Sequence, residues 1–483
     1  MTAIALQSLP QPTKTPENLQ KIFDLQRGAF LNKMYPSHAE RIDRLDRLLA
    51  MIEKYAPKIV ETISADFGHR AAQVTLLTDI GMTSGQIKHT RRKLKKWMKT
   101  RSAPTALAYR PGWNRIMPQP LGVVGIVGPW NFPFLLSAGA AIGPIAAGNC
   151  VMIKPSEQTP QFSALLATMV AEFFKPHEIA VVMGGPEIGK AFVQLPFDHL
   201  LFTGGTAVGR SVAVDAAANM TPVTLELGGK SPAIINPEAN FEAIAPRILI
   251  GKLMNCGQTC IAPDYLALPR GTEDRMVAAL KASAEKMFPT IANNPDYTAV
   301  VNDRHLNRIQ SLVEDARQKG ATIIPLHPEG EKITSKTRQL PPIAVVGVND
   351  TMRIMQEEIF GPVLPIVTYS SLDEIIGYVN KHDRPLSLYW FGKNSKDRKK
   401  VLNNTVSGGV TINDCVWHFG QEDMPFGGVG ASGQGAYHGE YGFRQFSKDK
   451  PIFYQPSLSG ISLLYPPYGG IFNFMMKVLK LIS

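Results

Sequence analysis

The stretch Asn255-Cys256-Gly257-Gln258-Thr259-Cys260 sets sulfur in a Gly-containing loop of small and polar residues. An apolar run would hide such a thiol, whereas this setting can present one to a ligand. Upstream, Leu225-Glu226-Leu227-Gly228-Gly229-Lys230 ends an apolar run on a carboxylate, and its two glycines let the backbone turn sharply. A thiol and a carboxylate on two such loops suit covalent catalysis, one as nucleophile and the other as base. A free cysteine is commonly buried and inert, so the pair needs support from the rest of the chain.

Other strand ends supply that support. Pro129-Trp130-Asn131-Phe132-Pro133 holds an Asn between two prolines, so its side-chain NH₂ can donate into a cleft. One such donor to a developing oxyanion is worth about 3–4 kcal/mol of barrier. In Lys154-Pro155-Ser156-Glu157, the Lys can meet a ribose hydroxyl or phosphate and the carboxylate can accept from a ribose diol. Phe202-Thr203-Gly204-Gly205-Thr206-Ala207-Val208-Gly209 is a Gly-rich turn that lets a pyrophosphate approach a helix N-terminus. Its spacing is not Gly-x-Gly-x-x-Gly, so the generic dinucleotide fingerprint is absent. Glu157 would repel a 2′-phosphate, which favours NAD over NADP. Glu357-Glu358-Ile359-Phe360-Gly361-Pro362 offers a carboxylate for a ribose and a ring for a nicotinamide.

These groups must be held by an alternation of strands and helices. Gly122–Val127, Cys150–Lys154, Ile179–Met183, His199–Thr203 and Val223–Leu225 read as short apolar strands. Helices are expected over Pro133–Ala147, Thr159–Phe174, Pro186–Gln194 and Thr206–Asn219 between them. That grammar means a parallel sheet covered on both faces. A second alternation from about Phe241 to Val416 predicts a second α/β domain. It contains helices near Asp274–Lys286 and Asp303–Lys319 and strands at Ile343–Val348 and Val363–Tyr369.

Before the first strand, Leu45, Leu48, Leu49 and Ile52 recur at helical spacing. Met1–Thr15 reads as a loose arm. Ala103–Pro120 reads as an extended hairpin or connector. Met424–Gly442 is so dense in glycine, between aromatics, that it reads as a tight loop packed on other backbone. The apolar tail Gly470–Ser483 is too short to span a bilayer. Packing on the protein's own surface is its simpler reading, and weak membrane contact is the alternative.

At 483 residues the chain exceeds one ordinary core, so two or three domains are expected. Much of the net charge of +11 sits in Lys88–Arg101, where Trp97 is the lone aromatic, so a solvated helix face is expected and not nucleic-acid binding. The four cysteines are few, which fits a reduced, cytoplasmic setting. Cys256 and Cys260 lack the second ligand pair of a zinc site, and Cys256 reads as a packing residue.

Taken together, these motifs resemble the aldehyde dehydrogenase superfamily from about residue 20 to about 455. Asn413-Asp414, Pro425-Phe426-Gly427-Gly428-Val429-Gly430 and Tyr437-His438-Gly439 are similar to its class 3 branch. Ala65-Asp66-Phe67-Gly68-His69-Arg70 and Gln421-Glu422-Asp423 are similar, within that branch, to bacterial coniferyl aldehyde dehydrogenases. The resemblance implies an α/β fold with a Rossmann-like NAD-binding domain, a second α/β catalytic domain and a small β bridging element. Mapped on this chain, 1–102 is the helical N-terminal part, 103–120 the bridging hairpin and 121–226 the cofactor domain. Residues 227–425 form the catalytic domain, 426–456 the glycine-rich return and 457–483 the tail.

By the same resemblance Cys260 is the nucleophile, Glu226 the base, and Asn131 with the Cys260 N–H the oxyanion site. Trp130, Lys154, Glu157, Gly204, Gly205, Thr206, Gly209, Leu227, Glu358 and Phe360 hold NAD, with NADP an alternative. No metal is implied. The expected substrate is a small-molecule aldehyde, aromatic (coniferyl-type) before long-chain aliphatic, and the expected assembly is a homodimer. Gly205 and Ala207 depart from the Ser and Glu that many relatives carry there. A coenzyme A-acylating enzyme is the first rival, opposed by Glu226. A scaffold without activity is the second and a cysteine hydrolase without nicotinamide the third.

Overall fold

The computed structural model describes residues 16–327, 331 and 337–482, so the arm Met1–Thr15 lies outside the described residues. Among these, three sheets organise the chain. The first orders its six strands Gly433–Gln434, Val223–Glu226, His199–Thr203, Val123–Val127, Cys150–Lys154 and Ile179–Val181, all parallel except Gly433–Gln434. The Val-, Ile- and Leu-rich strands are buried along most of their length, as a sheet covered on both faces requires. From the central strand Val123–Val127 the chain first builds outward to one side, then returns to lay His199–Thr203 on the other. The crevice where such an order reverses is where open α/β sheets bind ligands.

The second sheet orders Thr322–Pro325, Ile343–Val346, Val363–Tyr369, Tyr265–Pro269, Pro232–Ile235, Ser387–Phe391 and Gly409–Ile412, with Thr322–Pro325 antiparallel and the rest parallel. The third is antiparallel: Arg101–Ala103, Trp113–Pro120 and Ser447–Tyr454. This sheet takes in the stretch 103–120 read as a hairpin and starts at Arg101. The segment after 426 supplies strands to two sheets, Gly433–Gln434 to the first and Ser447–Tyr454 to the third.

The N-terminal region is helical, over Pro16–Asn32, His38–Phe67 and Thr83–Trp97. Ser37 and Glu40 close a capping box at the start of the second helix. Gly68, at φ +73°, ends that helix and turns the chain inward at Arg70. A π-helical turn, Leu76–Met82, precedes the third helix. The Lys- and Arg-rich face of that third helix is largely solvated, while Gln86, Ile87, His89, Leu94 and Trp97 are buried.

Two expectations need correction. Pro133–Ala147 is not one helix: turns lead into a short 3₁₀ segment, Gly139–Ala141, and a helix of six residues, Ile142–Ala147. The amides of Phe134 and Leu135 donate instead to the buried carboxylate of Asp79, at 3.0 and 3.2 Å. The tail does form a helix, Gly470–Ile482, near Leu107–Tyr109 and Gly460–Leu464. It does not bury its apolar face in this chain, because Ile471 and Phe474 remain 65% exposed.

Candidate active site

Cys260 follows a backbone fold that few sequences tolerate. Asn255, Cys256 and Gly257 take φ of +53°, +57° and +73° in succession. The two non-glycine residues store strain there, which the surroundings must offset, while Gly257 takes the conformation freely. A Cβ on Gly257 would lie 2.3 Å from the Gly361 oxygen, so only glycine fits there. Gln258 pins the turn, donating to Asn255 O (2.9 Å) and Ala299 O (3.1 Å) and accepting from Val301 N (2.9 Å). Cys256 points into the core, where burial pushes its thiol up to about 12. The loop thus buries one cysteine fully and leaves the other, Cys260, only partly buried.

Cys260 stands in a wall shared by two cavities, together with Thr203 and Glu226. One cavity, about 470 Å³, is lined mainly by apolar and aromatic side chains, among them Phe132, Leu136, Trp417, Phe419 and Phe426. The other, about 250 Å³, is lined by strand ends: Trp130, Asn131, Gly204, Gly205, Leu227 and Gly228, facing His305, Arg308, Glu358 and Phe360. Burial raises the Cys260 thiol above its ordinary range, and the Glu358 and Glu226 carboxyls add to the rise. The N–H groups of Cys260 and Ile261 pull the other way.

Glu226 is the last residue of its strand and is buried. Neither carboxylate oxygen has a hydrogen-bond partner among the described residues. Burial alone raises its pKa well above 4.5. Gly433, at φ +150°, closes over it: a Cβ there would lie 2.2 Å from the Leu225 oxygen. The glycine-rich return is therefore the tight, backbone-packed loop its composition predicts.

Asn131 donates one side-chain N–H to Gln258 O at 3.1 Å, leaving its second N–H for a ligand in the smaller cavity. On the same side, Trp130 meets Phe360 edge to face at 5.4 Å and His305 at 4.8 Å. Glu358 is pushed up to about 8, first by burial and then by Asp264, against the Gly229 N–H, Lys230 and Arg308. Gly205 caps the helix Thr206–Ala217, which carries no acidic residue in its first turn, and open space lies beside Gly205. A free helix N-terminus of that kind suits an anion. Four expected cofactor residues lie outside this cavity wall. Lys154 and Glu157 pair with each other at 3.1 Å, Thr206 bonds Ala431 O at 3.2 Å, and Gly209 packs beneath Leu227.

The aldehyde dehydrogenase family model matches residues 10–452. The chain belongs to the aldehyde dehydrogenase family. Over 465 residues it is 44% identical to a coniferyl aldehyde dehydrogenase of a Pseudomonas species, covering 94% of this chain and 96% of that one. It is 39% identical to mouse aldehyde dehydrogenase family 3 member A2 over 439 residues, covering 88% and 87%. The substrate-bound structure of Staphylococcus aureus AldH superposes with a TM-score of 0.90 at 36% identity, covering 95% and 99%. An indole-3-acetaldehyde dehydrogenase complexed with NAD+ superposes with a TM-score of 0.82 at 26% identity, covering 91% and 89%.

In this aldehyde dehydrogenase, residues that sequence reasoning did not name as site residues support the site. Arg70 and Asp79 form a wholly buried ion pair at 2.8 Å. Arg70 Nη1 also donates to the Asn131 carbonyl at 2.9 Å, as does Asn255 Nδ2. With Asp79 accepting from Phe134 and Leu135, the pair fixes both flanks of the Asn131 turn. His305 and Arg308 come from the helix Asp303–Gln318, and Arg308 Nη1 donates to the Glu358 carbonyl at 3.1 Å. No spacing in the sequence marks any of the four as site residues. The nearest signal is Arg70 itself, in the stretch Gly68-His69-Arg70 that resembles the coniferyl branch. Among the described residues no cluster of metal-ligating side chains occurs, and no helix is long and apolar enough to cross a membrane.

Proposed function

We propose that Cys260, Glu226 and Asn131 oxidise an aromatic, coniferyl-type aldehyde to its carboxylic acid, with NAD as the cofactor. The observation that carries this reading is the shared wall: a partly buried thiol that lines both cavities and an unpartnered carboxyl, between an apolar cavity and a strand-end cavity. The smaller cavity fits a dinucleotide through Gly204 and Gly205 at a helix N-terminus, Trp130 and Phe360 for a ring, and Glu358 for a ribose. Lys154 and Glu157 sit at the end of the neighbouring strand for the adenosine ribose. The exposed Glu157 carboxylate disfavours a 2′-phosphate there.

The Cys260 thiol gives up its proton to solvent as the sulfur bonds the carbonyl carbon. The second N–H of Asn131 and the Cys260 N–H hold the oxygen as it gains charge. When bound, a nicotinamide dinucleotide supplies the acceptor for the hydride that this carbon gives up, leaving a thioester on Cys260. Glu226 then takes a proton from water, whose oxygen attacks the thioester carbon. The acid leaves and the sulfur regains its proton. A carboxyl with a raised pKa suits the proton transfer from water. Water in this last step needs a base in the wall, which is why Glu226 opposes a coenzyme A-acylating reading.

Rings lining the larger cavity, and the likeness to a coniferyl aldehyde dehydrogenase, support an aryl substrate. A panel of aldehydes assayed with NAD and with NADP tests this. Coniferaldehyde with NAD is expected to exceed decanal by at least about 10-fold in kcat/KM. A reversed preference would replace the substrate class with long-chain aliphatic aldehydes, and coenzyme A-dependent product would replace the reaction.

A further inference from the structure

The larger cavity is not apolar on every wall. Gln86, His89 and Arg92 of the helix Thr83–Trp97 meet Gln421 and Glu422 there. Gln86 and Glu422 also line a second chamber of about 20 Å³, with Thr90, Tyr437 and His438. Both side chains therefore stand between the cavity and the chamber. Both ring nitrogens of His438, a residue 5% exposed, have no partner among the described residues, and the Gln86 side chain, 7% exposed, lies beside the Glu422 carboxyl. Buried polar groups rarely stay unsatisfied, and a chamber of this size holds one water.

The geometry around Glu422 is fixed. His89 Nε2 lies 3.3 Å from Asp423 Oδ1, and Arg92 Nη2 lies 3.5 Å from His89 Nδ1. The Glu422 carbonyl would stand 2.0 Å from a Cβ on Gly439, so only glycine lets the loop seat there. Tyr437 lines the same cavity and lies within electrostatic reach of Glu226, Cys260 and Glu422. Burial pushes the Glu422 carboxyl up to about 7, with Asp423 adding to the rise and Gln86 opposing it.

We infer that Glu422, assisted by Gln86, hydrogen-bonds a hydroxyl on the ring of the aldehyde, so that this site selects hydroxyaryl aldehydes over their methyl ethers. The inference rests on reading the larger cavity as the aldehyde site. A hydroxyl both donates and accepts, so it pairs with a carboxyl in either protonation state and accepts from an amide NH₂. An ammonium group fits less well, because the Arg92 guanidinium shares the patch.

The test compares 4-hydroxycinnamaldehyde, 4-methoxycinnamaldehyde, an ω-ammonium alkyl aldehyde and decanal, on the natural protein, Glu422→Leu and Gln86→Leu. The natural protein is expected to favour the free phenol over its ether by roughly 10- to 100-fold in kcat/KM, mostly through KM. Glu422→Leu should bring the two within about 3-fold and keep decanal turnover, which also shows that it folds. Gln86→Leu should lose part of the preference. Equal rates for phenol and ether in the natural protein, or an undiminished preference in Glu422→Leu, would overturn the inference while leaving an aryl substrate standing. An ammonium preference lost in Glu422→Leu would overturn it in favour of a cationic substrate. Failure to oxidise either cinnamaldehyde would overturn the aryl reading itself.

Discussion

The two cavities that meet at Cys260 are walled by different material. The smaller is built on the ends of parallel strands, where Gly204, Gly205 and Gly228 leave backbone open opposite His305, Arg308, Glu358 and Phe360. The larger is made of side chains from separated segments, 77–92, 132–136 and 416–437. A backbone-lined cavity can change little without changing the sheet. A side-chain-lined cavity can be reshaped one residue at a time. Under the proposed function, the difference makes the dinucleotide side fixed and the aldehyde side tunable, joined by a sulfur and a carboxyl that line both cavities.

The most severe break should come at the joint. Cys260→Ser is expected to lower turnover at least about 10⁴-fold, while NAD still quenches tryptophan fluorescence in a titration. Near-normal turnover would remove the covalent scheme. Asn131→Ala should cost about 10²–10³ in kcat with little change in KM, as steady-state kinetics would show.

Arg70→Lys keeps a charge for Asp79 but cannot also reach the Asn131 carbonyl with a fork. About a 10-fold fall in kcat, with aldehyde KM unchanged, would mark Arg70 as positioning Asn131. Arg70→Met, which strands the Asp79 charge, should instead cost about 3–5 kcal/mol of stability in denaturant melts. Division of labour between the cavities gives a smaller effect. Trp417→Ala should raise the aldehyde KM several-fold and leave the NAD KM within about 2-fold, and Glu358→Gln should do the reverse. Crossed effects would mean that the two cavities do not work separately.

The smallest expected change is one of pH. Glu226 must lose its proton to act as a base, and burial raises its pKa well above 4.5. Thioester hydrolysis should therefore slow as pH falls, along a limb centred well above 4.5. Measured by rapid quench, an acid limb at the ordinary carboxylate value would contradict a buried base.

The same contrast in material explains what could be read from sequence. Strand-end motifs such as Pro129–Pro133 and Phe202–Thr206 place themselves, because a parallel sheet brings its carboxyl ends together. The loop Asn255–Cys260 stood out by its small and polar residues, but only the resemblance singled out Cys260, because the run of left-handed backbone that buries Cys256 leaves no mark in the sequence. Arg70 and Asp79 were not legible as a pair, since their meeting with Asn131 depends on a capped helix and a π-turn packing against a distant sheet. The expected helix over Pro133–Ala147 failed for the same cause, a carboxylate from another segment taking its amides. Glu422 stood in a recognisable motif, but nothing along the chain showed that it faces the cavity of Cys260.

Mass spectrometry on Glu226→Gln, mixed with NAD and coniferaldehyde, tests the central claim most directly. The shared wall predicts one burst of NADH per chain and a matching acyl mass on the peptide carrying Cys260, which outlives the burst because no base activates water. Linear NADH production without a burst, or an acyl mass on any other residue, would contradict it.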